Sequence, residues 1–147
     1  MAVMVMKNPI VKIGTSASPV SSTDVLLQKR IRSVTLNLRA EILDKTAFGS
    51  SGRNRIPGLK DGSLTIEFIN DYVDNGVDEI INSKLGLESS NCWIEVRPTT
   101  AARGAGNPAY TGWYCLESYN PGSGTVGDLG VVTANFVAGS AIVRRTA

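Results

Sequence analysis

Apolar and polar residues alternate cleanly in two stretches, and these set the architecture. In "RSVTLNLRAEIL", Val34, Leu36, Leu38, Ala40 and Ile42 alternate with Ser33, Thr35, Asn37, Arg39 and Glu41. Period-two alternation over that length predicts a long, half-buried strand. "SLTIEFI" repeats the pattern with Leu64, Ile66 and Phe68 inward, and consecutive strands of this kind pair as antiparallel neighbours. They are then the walls of a hairpin whose tip, residues 44–62, far exceeds the loop of about two to five residues that a hairpin needs. That tip is rich in Gly, Ser, Lys and Arg, yet it carries Phe48, Ile56 and Leu59. A loop so long in a small domain is either disordered or functional.

One stretch has helical spacing. "DNGVDEIINSKLGLE" places Val77, Ile80, Ile81 and Leu85 on one face and predicts a helix over about 74–85. Asp74 or Asn75 can cap its start, acids occupy the first turn, Lys84 the last, and Gly86 follows as a stop. Its apolar stripe is core contact with a sheet. The second half returns to strands. "NCWIEVRP" alternates Cys92, Ile94 and Val96 against Trp93, Glu95 and Arg97, a flexible turn spans 99–108, and "AYTGWYCLESY" is aromatic and β-prone. A glycine-rich loop spans 120–130, and "VVTANFVAGSAIVRR" closes with a strand, a bend at Gly139 and a basic tail. Residues 1–30, with the Ser- and Pro-rich "GTSASPVSSTD", read as an extended arm before a core spanning 31–147. The predicted fold is a single mainly-β domain over 1–147: a β-sandwich or barrel with one flanking helix and long loops.

Composition narrows the function. The chain has 147 residues, 42% of them hydrophobic, which suits one domain with a real core. No apolar run approaches bilayer length and the N-terminus lacks signal-peptide features, so synthesis is expected in the cytoplasm without a membrane partner. Cys92 and Cys115 are then expected as thiols rather than a disulfide. A net charge of +2 is too small for a dedicated nucleic-acid binder, and the absence of histidine removes the commonest general base and metal ligand. No phosphate loop occurs. "GSGTVG" (122–127) lies between strand patterns and opens no helix, so it is no dinucleotide fingerprint. Two cysteines without histidine make a poor zinc site, and the carboxylate pairs Asp78–Glu79 and Asp71–Asp74 show no convergence on a cleft. No catalytic residue, cofactor or metal is expected. The cluster Lys29, Arg30 and Arg32 reads as a solvated face. A small single-strand nucleic-acid-binding β-barrel remains as an alternative, with Trp113, Tyr114 and Tyr119 near Arg97 and Arg103, although strand aromatics usually serve packing.

Two stretches carry a family resemblance. "DKTAFGSSGRNRIPGLKDGSLTIEF" resembles a D-x-T-x-F-G…R-x-x-I-P-G-L-x-D-x-S pattern of the major tail tube proteins of long-tailed (siphovirus-like) bacteriophages. It matches at Asp44, Thr46, Phe48, Gly49, Arg53, Ile56, Pro57, Gly58, Leu59, Asp61 and Ser63. Residues 107–145 are similar to that family's later region, with Gly127-Asp128 before a strand that ends in Gly139. Together these cover about half of the chain. In the loop, "SSGRN" departs from the bulkier or more charged run frequent in the family.

The resemblance implies a β-sandwich or barrel with one helix, self-assembled as hexameric rings stacked into a tube. Its partners are further copies of the chain, the tape-measure protein and genomic DNA in the channel, and tail tip and terminator proteins at the ends. Its place is the virion tail, assembled in the host cytoplasm. The 44–62 loop is then expected to contact a neighbouring subunit or ring, with Phe48, Ile56 and Leu59 as apolar anchors and Arg53 and Arg55 pairing with carboxylates. Folded back on its own domain, it is instead a compact loop. Lateral contact is expected as strand addition through 31–43 or 64–70. Arg39 and Glu41, on the polar side of the first strand, are candidates to face the channel. Arg144 and Arg145 form either an interface arm or a frayed end. A tail terminator or head–tail connector ring subunit is the other virion reading.

Overall fold

The computed structural model describes residues 9–14, 25–26, 30–70, 72, 76–87, 92–122 and 124–147. The expected helix-capping residues Asp74 and Asn75, the pair Asp71–Asp74 and the cluster member Lys29 lie outside them. The chain is mainly β with one helix, as the alternation predicts. The strands are β1 Ile10–Gly14, β2 Val25–Leu26, β3 Ile31–Asp44, β4 Arg55–Ile69, β5 Trp93–Arg97, β6 Ala109–Tyr119, β7 Val131–Ala138 and β8 Val143–Arg145, and the helix is α1 Val77–Lys84. All strand ladders are antiparallel and run in the order β2-β1-β5-β6-β7-β4-β3, with β8 on β6.

Strand β6 is the seam. Its first half pairs with β5 at 110–113 and with β8 at 109–111, and its second half pairs with β7 at 114–119. The two halves of the sheet bury one shared core. Val11 and Ile13 of β1, Ile94 of β5, Leu64, Ile66 and Phe68 of β4, Val132 and Phe136 of β7 and Val77 and Ile81 of α1 belong to one cluster around Tyr114. Phe136 meets the Tyr114 ring edge-on at 6.4 Å, and Phe68 stacks on Tyr119 at 6.3 Å.

Several expectations change. Residues 10–14 are not arm: Ile10, Val11 and Ile13 are buried, because β5 needs a partner on its outer edge and "IVKI" supplies it. In β5, Trp93, Glu95 and Arg97 are buried rather than exposed. The 99–108 segment, expected as a flexible turn, is a built loop that covers two of them. Arg103 donates to Glu95 from Nε (3.2 Å) and Nη2 (2.7 Å), Arg97 Nη1 donates to the Ala101 carbonyl (2.7 Å), and Asn107 Nδ2 donates to the Ala101 and Ala102 carbonyls. The helix is shorter than 74–85, and Leu85 is exposed because it is the extended C-cap residue, outside the stripe. The basic tail is neither arm nor frayed end: Arg144 and Arg145 lie in β8, and Arg145 Nε donates to Thr111 Oγ1 (3.0 Å).

The largest correction concerns 44–62. About half of it is strand: β3 runs to Asp44 and β4 begins at Arg55, leaving 45–54 as the tip. Glu41 faces both Gly58 and Leu59 in a β-bulge between the pairs Ala40–Lys60 and Ile42–Pro57. Pro57 fits because β7 does not reach this part of β4, so the edge opposite β3 is open. Over 63–69, by contrast, β4 is bonded to β3 and β7 at once. Of the two stretches expected to add a neighbour's strand, only β3 has an open edge among the described residues.

If residues 10–14 are core, Ile13→Ala should cost about 2–5 kcal/mol in urea unfolding. A change below about 0.5 kcal/mol would return the segment to a solvated arm.

Candidate assembly surface

Strand β7 pairs with β4 only from Ile69 to Ser63 and ends at Ala138. The chain then bends at 139–142 and resumes as β8 on β6. Ile142 packs over Gly62 at this fork: a Cβ on that glycine would stand 2.5 Å from Ile142 Cδ1, so a larger residue would push the end of that side chain aside. Beyond the fork, β3 and β4 continue as a two-stranded ribbon, exposed along residues 39–57.

The tip is closed by residues of the quoted motif. The Thr46 amide and hydroxyl both donate to Asp44 Oδ1 (2.9 and 2.6 Å), and the Asn54 amide donates to Thr46 Oγ1 (2.8 Å). The Lys45 amide donates to the Asn54 carbonyl (2.8 Å), and Arg53 Nη1 reaches Asp44 Oδ2 (3.3 Å). Gly49 turns the chain at φ 90°. The Thr46 hydrogen bonds, with Arg53 adding less, hold the Asp44 carboxyl below the usual carboxylate range.

The expected contact residues separate on this frame. Phe48 is fully exposed at the tip, and Leu59 (79% exposed), at the bulge, is nearly so. Ile56 pairs with Leu43, on the opposite face from the Ile42–Pro57 pair. Arg53 is engaged with Asp44 inside its own chain, and Arg55 is exposed opposite Asp44. The sequence reading missed Leu38, Ile42 and Leu43, all exposed. The signal was there: the alternation in β3 runs for 14 residues, about 45 Å, whereas β4 supplies inward apolar partners only from Leu64 to Phe68.

Arg39 and Glu41 lie on the face of β3 opposite its apolar side, as expected. Arg39 donates to Asp61 Oδ2 from Nε (3.1 Å) and Nη2 (2.7 Å) across the ribbon. Further along the same face, Thr65 Oγ1 donates to Asn135 Oδ1 (3.0 Å) and Asn135 Nδ2 donates to Ser118 Oγ (2.8 Å), a polar ladder across β4, β7 and β6. On the apolar side, Val34, Leu36 and Leu38 line an open groove of about 420 Å³ with Val96, Pro98 and Tyr110.

Of the five residues of the nucleic-acid alternative, Trp113 is half-buried and the other four are engaged within the chain. Tyr114 is fully buried, the Tyr119 hydroxyl donates to Asp78 Oδ1 (2.5 Å), and Arg97 and Arg103 both pair with Glu95. Cys92 is a buried free thiol that burial pushes up to about 11, which suits packing rather than nucleophilic chemistry.

Asp44 titrates below its unfolded value, so the tip clasp is complete above the usual carboxylate range and is lost as pH falls through the depressed value. Thr46→Val should speed hydrogen exchange at the 46 and 54 amides by about tenfold. Global stability should move by less than about 0.5 kcal/mol. Unchanged exchange would show that the clasp does not hold the tip.

No protein-family model matches the sequence, and no curated protein matches it at a significant level. Solved structures do match. A chain from the virion of a native gene transfer agent particle aligns with a TM-score of 0.72 at 14% identity, over 97% of this chain and 99% of that one. A chain from the tail of an empty gene transfer agent particle, of C6 symmetry, gives 0.72 at 16% identity, over 96% and 98%. A chain from a sheath/tube terminator structure of an extracellular contractile injection system gives 0.69 at 14% identity, over 99% and 98%. At these identities the likeness is one of fold, and it is end to end: this chain shares its mainly-β fold with chains of virion, tail and injection-system particles.

Proposed function

We propose that this chain is a structural, non-enzymatic tail tube subunit of the long-tailed phage kind, forming hexameric rings that stack into the conduit for genome delivery. The observation that carries the reading is the ribbon of β3 and β4. A two-stranded ribbon is marginal in water, and this one exposes Ile42, Leu43, Phe48 and Leu59. Such a structure is completed by a neighbour. The fold shared with a chain from a C6-symmetric tail supports the same reading.

In the ring, the open edge of β3 adds to a neighbour's sheet, which removes an exposed edge of 14 residues. The polar face lines the channel. Its charged residues in register are Arg39, Glu41, Asp61 and Glu67. The excess of carboxylates over Arg39 avoids attracting phosphates during DNA passage. The tape-measure protein occupies that channel before ejection, and tail tip and terminator proteins close the ends. Assembly takes place in the host cytoplasm and the product is the virion tail.

The fold shared with a chain from a sheath/tube terminator structure favours a second reading, a terminator ring that does not polymerise. Negative-stain microscopy at low and high concentration separates the two. The tube reading expects hollow tubes or stacked rings with a regular axial repeat, abolished by Phe48→Asp or Leu59→Asp while the urea midpoint is kept. Polymers that form unchanged in both variants would sink the role of the ribbon. Single rings that never stack would favour the terminator.

A further inference from the structure

The ribbon is half of a contact, and the topology points to the other half. Among the described residues, the two most exposed large apolar side chains are Phe48 and Val126. They stand at opposite ends of one sheet. Strand β4 runs from Arg55, beside the tip, to Ile69, which pairs with Val131 at the start of β7. The Asn70 amide donates to the Gly130 carbonyl (3.0 Å), which ties the loop carrying Val126 and Leu129 to the far end. Leu129 is exposed there too. Unlike apolar knobs at the two poles of one sheet fit a heterologous, head-to-tail contact, which repeats without closing.

The charges agree. The tip carries Lys45, Arg53 and Arg55 against the single carboxylate of Asp44, which Arg53 engages. At the far pole, Asp128 sits between Val126 and Leu129, and its amide closes a turn onto the Thr125 carbonyl (3.0 Å). The first turn of α1 adds Asp78 and Glu79, held at this pole by the Tyr119–Asp78 hydrogen bond at the end of β6. Arg30 and Arg32 belong to the same pole but to its β3 edge, so the acidic patch lies on the β6 and α1 side.

We infer that the tip of one copy seats on a second copy of this chain at the pole formed by Val126, Asp128, Leu129 and the first turn of α1. Phe48 packs against Val126 and Leu129, and Lys45 and Arg55 face the carboxylates. This inference rests on the tube reading and supplies its receiving surface.

The test uses the full chain with Ser51→Cys and Thr125→Cys together, substitutions that flank the knobs and leave them in place. Mild oxidation at an assembling concentration should give a covalent ladder of dimers, trimers and higher species on a non-reducing gel. Either single variant should stop at dimers, and the wild-type chain controls for its own thiols. Independently, Asp128→Arg should raise the concentration needed for assembly by about fivefold or more, and adding Arg55→Glu should bring it back. Tubes by microscopy without a ladder would overturn this receiving site and leave the tube reading standing. A ladder from Ser51→Cys with Leu38→Cys in place of Thr125→Cys would move the contact to the apolar groove and overturn the inference. Neither tubes nor ladder at any concentration would overturn both.

Discussion

Past Ser63, towards its own beginning, β4 has one hydrogen-bonding neighbour where it has two elsewhere. The cause is local. Strand β7 ends at Ala138, and the chain steps aside through residues 139–142, where Ile142 packs over Gly62 and Gly112. β8 then follows β6 instead of β4. From that fork outward, the hairpin keeps its backbone bonds but has no layer against which to bury its side chains. Each large apolar residue left in water there forgoes about 1.5–3 kcal/mol of burial. The tip clasp of Asp44, Thr46 and Asn54 keeps the ribbon shaped, and it offers no burial for Phe48.

The two walls of that hairpin differ in their edges. Over 63–69, β4 is saturated on both sides, whereas β3 is the last strand of its sheet among the described residues. A long, regular edge carrying alternating apolar residues is what a monomeric protein usually avoids, because it templates unwanted pairing. A strand added along that edge would remove the hazard. The open ribbon and the open edge thus share one need, a covering surface that the described residues do not supply.

Much of this was legible in the sequence. The long alternating strands, their antiparallel pairing and the helical stripe of Val77 and Ile81 rest on periodicity, and periodicity survives folding when one face is buried. Two kinds of information were hidden. Residues 55–62 read as loop because Pro57, Gly58 and Gly62 are strand breakers in general. Here an open edge tolerates the proline, a bulge absorbs Gly58, and Gly62 leaves room for Ile142. In β5, Glu95 and Arg97 read as outward because charge marks exposure on average. They are buried because Arg103, eight residues along the chain from Glu95, returns to pair with it. Of the candidate contact residues, Phe48 and Leu59 carry the exposure expected of anchors. Arg53 is engaged with Asp44, and no spacing rule could have shown that.

The ribbon also differs from the sheet in how its faces are divided. Within the sheet one face is apolar and the other carries the Arg39–Asp61 pair and the Thr65–Asn135–Ser118 ladder. Towards the tip that division ends: Ile42 and Pro57 share one face, and Leu43 and Ile56 share the other. A hairpin that lies flat on a partner needs one apolar face and keeps the other polar for water. One that is apolar on both faces is matched by a slot with walls on both sides. The exposed apolar residues of the ribbon therefore call for cover on both faces, which the described residues of its own chain do not supply.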